Sequence, residues 1–119
     1  MCWNAEISLS TFVFGIAVTA IALVNDMVTW KTAALYVSIA GMQLIEFGVW
    51  SYPGWNTALS KLGLALIAAQ PMIAALSMRR HKERFYWAYA AWLLAYLALN
   101  PKINFATTVA PNGHLRWEW

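Results

Sequence analysis

Long stretches without charge constrain this chain more than any other feature. Residues 7–25 and 85–101 carry no charged side chain, and residues 32–60 carry only one, Glu46. A helix needs roughly 20 apolar residues to cross a bilayer. A soluble domain carries about a quarter charged residues, whereas only 11% of this chain is charged. The sequence therefore predicts a polytopic membrane protein and excludes a water-soluble globule.

Polar turns divide the apolar sequence into four predicted helices. The turns are Asn25-Asp26, residues 51–54, the basic run at residues 79–84, and Asn100-Pro101. The predicted helices cover residues 8–24, 32–50, 57–78 and 84–99. The predicted fold class is thus all-α, a bundle of four transmembrane helices within residues 1–101. A non-spanning, aromatic C-terminal tail follows in residues 102–119, with a turn at residues 111–113.

Basic residues predict which way the bundle faces. Five Lys or Arg residues lie at one end of the predicted helices and three at the other. They are Arg79, Arg80, Lys82, Arg84 and Lys31 at the first end, and Lys61, Lys102 and Arg116 at the second. Since loops rich in Lys and Arg stay in the cytoplasm, the third loop is predicted to be cytoplasmic, with the N-terminus and the tail outside or in a lumen. These charges are spread over loops, so no nucleic-acid partner is predicted despite the net charge of +3.

Two helices carry faces suited to close packing. In helix three, Gly63, Gln70 and Ser77 follow one another at intervals of seven, which places them on one stripe directed into the bundle. Helix four has an alanine face and a second, aromatic face formed by Phe85, Tyr89, Trp92 and Tyr96. Small residues allow helices in lipid to approach closely. The aromatic face is then left for lipid, a cleft or a partner subunit.

Glu46 is the leading candidate for a functional residue. An ionisable group inside a span costs at least about 2.5 kcal/mol and often marks an ion or substrate path. Gln43 and Trp50 lie one turn before and one turn after it on the same helix face. Glu46 lies on the outer side of the helix centre, so a site here would open outward. An equally weighted alternative is that Glu46 only holds neighbouring helices together.

Gln70 and Pro71 form a second polar position near the middle of helix three. Proline removes a backbone donor and kinks a helix, and the Gln70 amide is a candidate partner for the carbonyls that this frees. A purely structural kink is the favoured interpretation. The alternative is a polar cavity opposite Gln43 and Glu46, of the kind that membrane proteins build at broken helices. At the chain start, Asn4 and Glu6 are predicted to cap helix one.

The motifs that the sequence lacks limit the possible chemistry. It contains no HExxH, GxSxG or glycine-rich phosphate loop. Neither histidine falls inside a predicted span, which argues against axial ligation of haem. We therefore predict no catalytic residue, no metal site and no cofactor.

Four short segments along the chain form a recognisable set: MCWN at residues 1–4, MQLIEF at 42–47 with Trp50, Gln70-Pro71, and NGHL at 112–115 with Trp117. Together they resemble an uncharacterised family of small polytopic membrane proteins known from large DNA viruses and protists. The resemblance implies an all-helical membrane protein of unassigned activity. It places Trp3, Asn4, Gln43, Glu46, Gln70 and His114 among the candidate functional residues, without a role for any of them. Family members continue into further hydrophobic helices, so we expect either a natural short form or a chain that extends beyond Trp119.

Two functions are compatible with these features. The first is binding or transport of a small molecule or ion at a site formed by Gln43, Glu46, Trp50, Gln70, Trp92 and Tyr96, in which the aromatic rings stabilise a cation. The second is a non-catalytic accessory subunit of a larger membrane complex. In either case the aromatic face of helix four and the tryptophan-rich tail predict a homo-oligomer or a larger assembly as partner. An enzyme acting on lipid ranks third.

Overall fold

A computed structural model describes residues 4–77, 82–100 and 106–118. It contains the four predicted helices, a short 3₁₀ turn and a two-stranded sheet. The helices are α1 (Ala5–Val24), α2 (Trp30–Ser51), α3 (Asn56–Ala75) and α4 (Lys82–Leu99), the 3₁₀ turn is Pro53–Trp55, and the strands are β1 (Ala106–Val109) and β2 (Leu115–Glu118). The prediction for the third loop falls partly on residues 78–81, and the predictions for Trp3 and Trp119 fall on the chain ends. These residues lie outside the described part of the chain.

Three segments are long and apolar enough to cross a membrane: α1, α2 and Pro53–Ala75. The absence of charge between residues 85 and 101 predicts a fourth span; the helix is present, but it is not among the candidate spans. α4 begins with three charged residues, Lys82, Glu83 and Arg84, and intersperses its four leucines with Tyr and Trp. The structure therefore supports three candidate spans and a fourth helix that is not apolar.

Side-chain caps fix the starts of the first two helices. The Asn4 carboxamide oxygen accepts a hydrogen bond from the Ile7 backbone N–H at 2.9 Å, which confirms the predicted cap of α1. The hydroxyl of Thr29 accepts one from the Thr32 N–H at the start of α2. Each bond satisfies one of the backbone donors that a helix leaves unpaired at its N-terminus.

The helices form an open row in which each packs mainly on its neighbour in sequence. α1 and α2 approach closely at Gly15, where an added Cβ would lie 3.1 Å from the Cβ of Ala40. α2 and α3 run antiparallel, with Gly48 against Leu59 and Gly41 against Leu66. The described chain is accordingly flat, measuring 43 × 39 × 22 Å. Such a layer differs from the predicted bundle, because it leaves two broad faces without a further helix.

Pro71 lies inside α3 as predicted, but the hydrogen bonds around it differ from the expectation. Proline deprives the Ile67 carbonyl of its usual donor. The adjacent Ala68 carbonyl accepts a 2.8 Å hydrogen bond from the Tyr89 hydroxyl of α4. The Gln70 amide bonds instead to the Ser38 carbonyl of α2, at 3.3 Å. The helix that follows α3 thus supplies a donor near the proline, while Gln70 links α3 to α2.

The C-terminal segment, predicted as a non-spanning tail with one turn, folds into a β-hairpin. β1 and β2 pair antiparallel, with Thr107 opposite Trp117 and Val109 opposite Leu115. The predicted turn at residues 111–113 is confirmed. Gly113 adopts a φ of 78°, and its N–H donates to the Ala110 carbonyl at 2.8 Å. A residue with a side chain would be strained there.

Replacement of Gly15 by Val is predicted to destabilise the α1–α2 contact. The new Cβ has no room beside Ala40, and overpacking of this kind costs about 1–3 kcal/mol. The measurement is thermal unfolding of the purified protein in detergent. Gly54→Val is the matched control, because no atom lies within 4 Å of a Cβ at Gly54. Equal unfolding temperatures for the two variants would contradict the packing described here.

Candidate functional site

Glu46 is buried within α2. Its side chain is 2% exposed, and it is the only buried charged side chain among those whose burial the structure describes. Met42, Ile45 and Val49, which are adjacent to it on the helix surface, are buried as well. A charged group with so little access to water needs polar or charged neighbours within the protein. Glu46, which the sequence predicts to lie inside a membrane span, is therefore shielded from solvent by the surrounding protein.

The ring of Trp117 lies over the seam between α2 and α3. An added Cβ at Gly63 would be 3.0 Å from two atoms of this ring, Cζ3 and Cη2, and 3.6 Å from the Cε of Met42. Met42 is one helical turn before Glu46 on the same face of α2. The hairpin therefore packs on α3 at Gly63 and reaches Met42 of α2, and the absence of a side chain at Gly63 makes room for the indole.

A closed set of hydrogen bonds anchors the hairpin to α3. The Asn56 amide group donates to the Thr107 carbonyl at 2.6 Å, and its oxygen accepts from the Thr107 N–H at 3.0 Å. The hydroxyls of Ser60 and Thr107 lie 2.6 Å apart, and Ser60 also donates to the Asn56 oxygen at 2.9 Å. Ser60 is 0% exposed and Thr107 4%. Each polar group of this anchor thus has a partner in a place that water does not reach.

The geometry of the hairpin explains why Asn56 fits Thr107. Ala110 and His114 form a hydrogen-bonded pair, with a 2.8 Å bond from the Ala110 N–H to the His114 carbonyl. Paired residues of an antiparallel ladder alternate between bonded and non-bonded, so the pair of Thr107 and Trp117 is non-bonded. The backbone groups of Thr107 therefore point away from β2. Asn56 occupies that edge in the manner of an additional strand residue.

The structure brings together part of the predicted site. Gln43, Glu46 and Trp50 lie on one side of α2, with Gln43 and Trp50 half-buried. The Trp50 indole N–H is buried and has no hydrogen-bond partner in the described part of the chain. Gln70 meets α2 at Ser38, eight residues before Glu46, which corresponds to about 12 Å along the helix. Gln70 is thus at a different level from the carboxylate.

Trp92 and Tyr96 lie on the aromatic face of α4. Successive rings from Phe85 to Tyr96 stack at centroid separations of 5.7–5.9 Å. α4 packs on α3 rather than on α2, and Trp92 is 59% exposed. The structure therefore places these two rings apart from the group formed by Gln43, Glu46 and Trp50. Their participation in binding stays a prediction.

Four residues outside the predicted site hold the hairpin on α3. Asn56, Ser60, Thr107 and Trp117 act through contacts between segments about 50 residues apart, and no local pattern reveals such contacts. One signal was present: Asn56 precedes Gly63 by seven residues and so extends the predicted Gly63–Gln70 stripe toward the N-terminus of α3. Gly63 is buried and Gln70 bonds to α2, as that stripe predicted. The prediction was wrong for Ser77, the third member, which lies beyond the end of α3 and is exposed.

Two other features limit the chemistry of the site. An apolar cavity of about 440 Å³ lies between α2 and α3, lined by Leu44, Phe47, Gly48, Tyr52, Trp55 and Leu59. It carries no charged group and suits hydrocarbon rather than an ion. Within residues 4–77, 82–100 and 106–118, no group of three His, Cys, Asp or Glu side chains is placed to hold a metal. The site thus depends on a single carboxylate.

Comparison with known proteins identifies no relative of this chain. No protein-family model, curated protein or solved structure matches the chain. The resemblance to small polytopic membrane proteins of viruses and protists therefore stays a prediction.

Replacement of Asn56 by Ala is predicted to loosen the hairpin. It leaves both backbone groups of Thr107 without their partner, and a buried unsatisfied group costs about 1–3 kcal/mol. Trypsin cleavage after the exposed Arg116 measures the loosening, and we expect it to accelerate by about tenfold or more, since 1.4 kcal/mol corresponds to a factor of ten. Thr57→Ala, at the neighbouring exposed position, is the control. Cleavage at the same rate in both variants would contradict the anchor.

Proposed function

We propose that this chain is an integral membrane protein that binds a small cation, protons included, at Glu46 and passes it across the bilayer. The observation that carries the proposal is the burial of this carboxylate, 2% exposed, within a helix long and apolar enough to cross a membrane. An acidic group is expensive at such a position. A protein that needed only helix packing would be served by an apolar side chain, since a well-packed apolar residue is often as stabilising as a buried charge.

The proposed membrane orientation follows from the basic residues together with the path of the chain. Four Lys or Arg residues lie between positions 79 and 84, which favours the cytoplasm for that end of the helices. The hairpin binds α3 at Asn56 and Ser60, which belong to the other end. We propose that α4 returns the chain across the bilayer as a fourth, less apolar span shielded partly by α3. Glu46 then lies in the outer half of α2.

The proposed ligand is small because the surroundings of Glu46 are tightly packed. Met42, Ile45 and Val49 are buried on the adjacent helix surface, and Trp117 fills the space over Gly63. A proton or a monovalent metal ion needs little additional volume. The carboxyl group of Glu46 and the side chain of Gln43, one turn earlier on α2, carry the oxygen donors that such ions favour.

A role as an accessory subunit is the second candidate, and it rests on α4. This helix has no buried residue, and Trp87 and Trp92 are 78% and 59% exposed. Large apolar surfaces of this kind are typical of contact sites. Purification in a mild detergent separates the two functions. A membrane protein recovered with this chain in a fixed ratio favours the subunit, whereas an isolated chain that binds ions favours the first proposal.

Replacement of Glu46 by Gln is predicted to abolish ion movement. The protein is reconstituted into liposomes containing a pH-sensitive dye, and a potassium diffusion potential drives protons inward. Since Gln cannot exchange a proton, we expect the protein-dependent proton flux to fall by about tenfold or more. Glu83→Gln, which neutralises an exposed glutamate at the start of α4, serves as the control and should retain the wild-type flux.

The same liposomes also test metal cations. Uptake of radioactive sodium or rubidium is measured for the wild type, Glu46→Gln and Glu83→Gln. The proposal predicts that at least one cation, proton or metal, moves faster with the wild type than with Glu46→Gln. Equal rates for all three proteins with every cation would overturn it.

A further inference from the structure

Helix geometry turns Glu46 toward the side of α2 on which the hairpin lies. α1 contacts α2 at Ala40, and α3 contacts it at Gly41 and Gly48. Successive residues of a helix are turned by about 100°, so Glu46 points away from Ala40 by about 120° and away from Gly48 by about 160°. It lies only about 40° around the helix from Met42, beside which Trp117 packs over Gly63 of α3.

We propose that the hairpin of residues 106–118 is a movable cover over the Glu46 site, and that a cation reaches the carboxylate when this cover is displaced. The inference rests on the proposed function, and it names how access to that site is controlled. Trp117 is the part of the cover that lies over the seam. The anchor formed by Asn56, Ser60 and Thr107 is the part that holds it in place.

The two faces of the hairpin support this role. The inner face carries Thr107 and Leu115, which are 4% and 3% exposed. The outer face carries Thr108 and Arg116, and both are exposed. Hydrocarbon cannot satisfy the backbone groups at the edges of a two-stranded sheet, and an arginine in lipid is expensive. The outer face of the cover therefore faces water or headgroups, and its displacement opens a path from the aqueous side.

The contacts of the hairpin are also suited to opening as a unit. The hairpin is attached to α3 by the polar anchor and by the Trp117 ring, with Leu115 also buried, whereas α1, α2 and α3 pack along their length. Elements held by few contacts open locally at a lower free-energy cost than the rest of a fold. Since Asn56, Ser60 and Thr107 bond mainly to one another, loss of the anchor does not break bonds between the helices.

A reversible cross-link tests the cover directly. The Ser60 and Thr107 side-chain oxygens lie 2.6 Å apart, close to the length of a disulfide bond, about 2.05 Å. Ser60→Cys and Thr107→Cys are combined in a chain whose single natural cysteine, Cys2, is replaced by Ser. The protein in liposomes is treated with a hydrophobic carbodiimide before and after reduction by dithiothreitol, and modification of Glu46 is followed by mass spectrometry of the peptide that contains it.

Closure of the cross-link is predicted to slow the modification of Glu46 by about tenfold or more, and reduction should restore the rate, because a locked anchor suppresses local opening. The exposed Glu6 is the internal control and should react equally in both forms. Equal rates at Glu46 in the oxidised and reduced protein would overturn the proposal.

A second variant tests the cover by displacing Trp117 instead of locking the anchor. Gly63→Leu has no room for its side chain under Trp117, so it should displace the ring and accelerate the reaction of Glu46. Gly54→Leu is the matched control, because its surroundings are empty. If Gly63→Leu does not fold, the cross-linked protein still decides the matter.

The outcomes also separate the cover from the proposed function. Carbodiimide modification reports access to Glu46 whether or not the protein moves ions. Access controlled by the cross-link, together with ion flux unchanged in Glu46→Gln, would retain the cover and overturn the function. Access to Glu46 that does not depend on the cross-link, together with ion flux lost in Glu46→Gln, would overturn the cover and retain the function.

Discussion

A carboxylate within an apolar helix has to be surrounded by protein, and the arrangement of this chain follows from that constraint. Glu46 lies on α2, the helix at the centre of the packing, with α1 on one side and α3 on the other. Two neighbouring helices in a row cannot enclose a third on all sides. A different kind of element, the C-terminal hairpin, packs on α3, and its indole lies beside Met42 over Gly63, one turn from Glu46 along α2. We propose that this hairpin closes the remaining side.

The anchor shows how a short hairpin is held in a place where water is scarce. A strand without a neighbour leaves backbone N–H and C=O groups unpaired, and such groups are costly where no water can bond to them. Here the amide of Asn56 satisfies both outward groups of Thr107, and Ser60 pairs with its hydroxyl. A helix side chain thereby serves as the neighbouring strand. Because the hairpin is attached at fewer positions than the helices, we propose that it is displaced more easily than they are.

The sequence was sufficient for the features that depend on local physics. The four helices, the Asn4 cap, the turn at residues 111–113 and the buried stripe through Gly63 follow from spacing and turn chemistry, and all are present. The level at which Gln70 meets α2 depends on the register between helices, which no single helix encodes. The four-residue strands were too short to show a period, although the Thr and Val of β1 and the turn glycine were signals of a hairpin. Freedom from charge between residues 85 and 101 also overstated how apolar α4 is, because the helix begins with three charged residues and carries several Tyr and Trp side chains.

The most direct test of the account is the environment of the Glu46 carboxyl carbon in the unmodified protein. Solid-state NMR in lipid bilayers measures the transfer of proton polarisation from water and from lipid acyl chains to this carbon, labelled with ¹³C. A carboxylate enclosed by α2, α3 and the hairpin predicts slow transfer from both sources, together with a through-space contact to the Trp117 ring. Rapid transfer from water or from acyl chains, without that contact, would contradict the account.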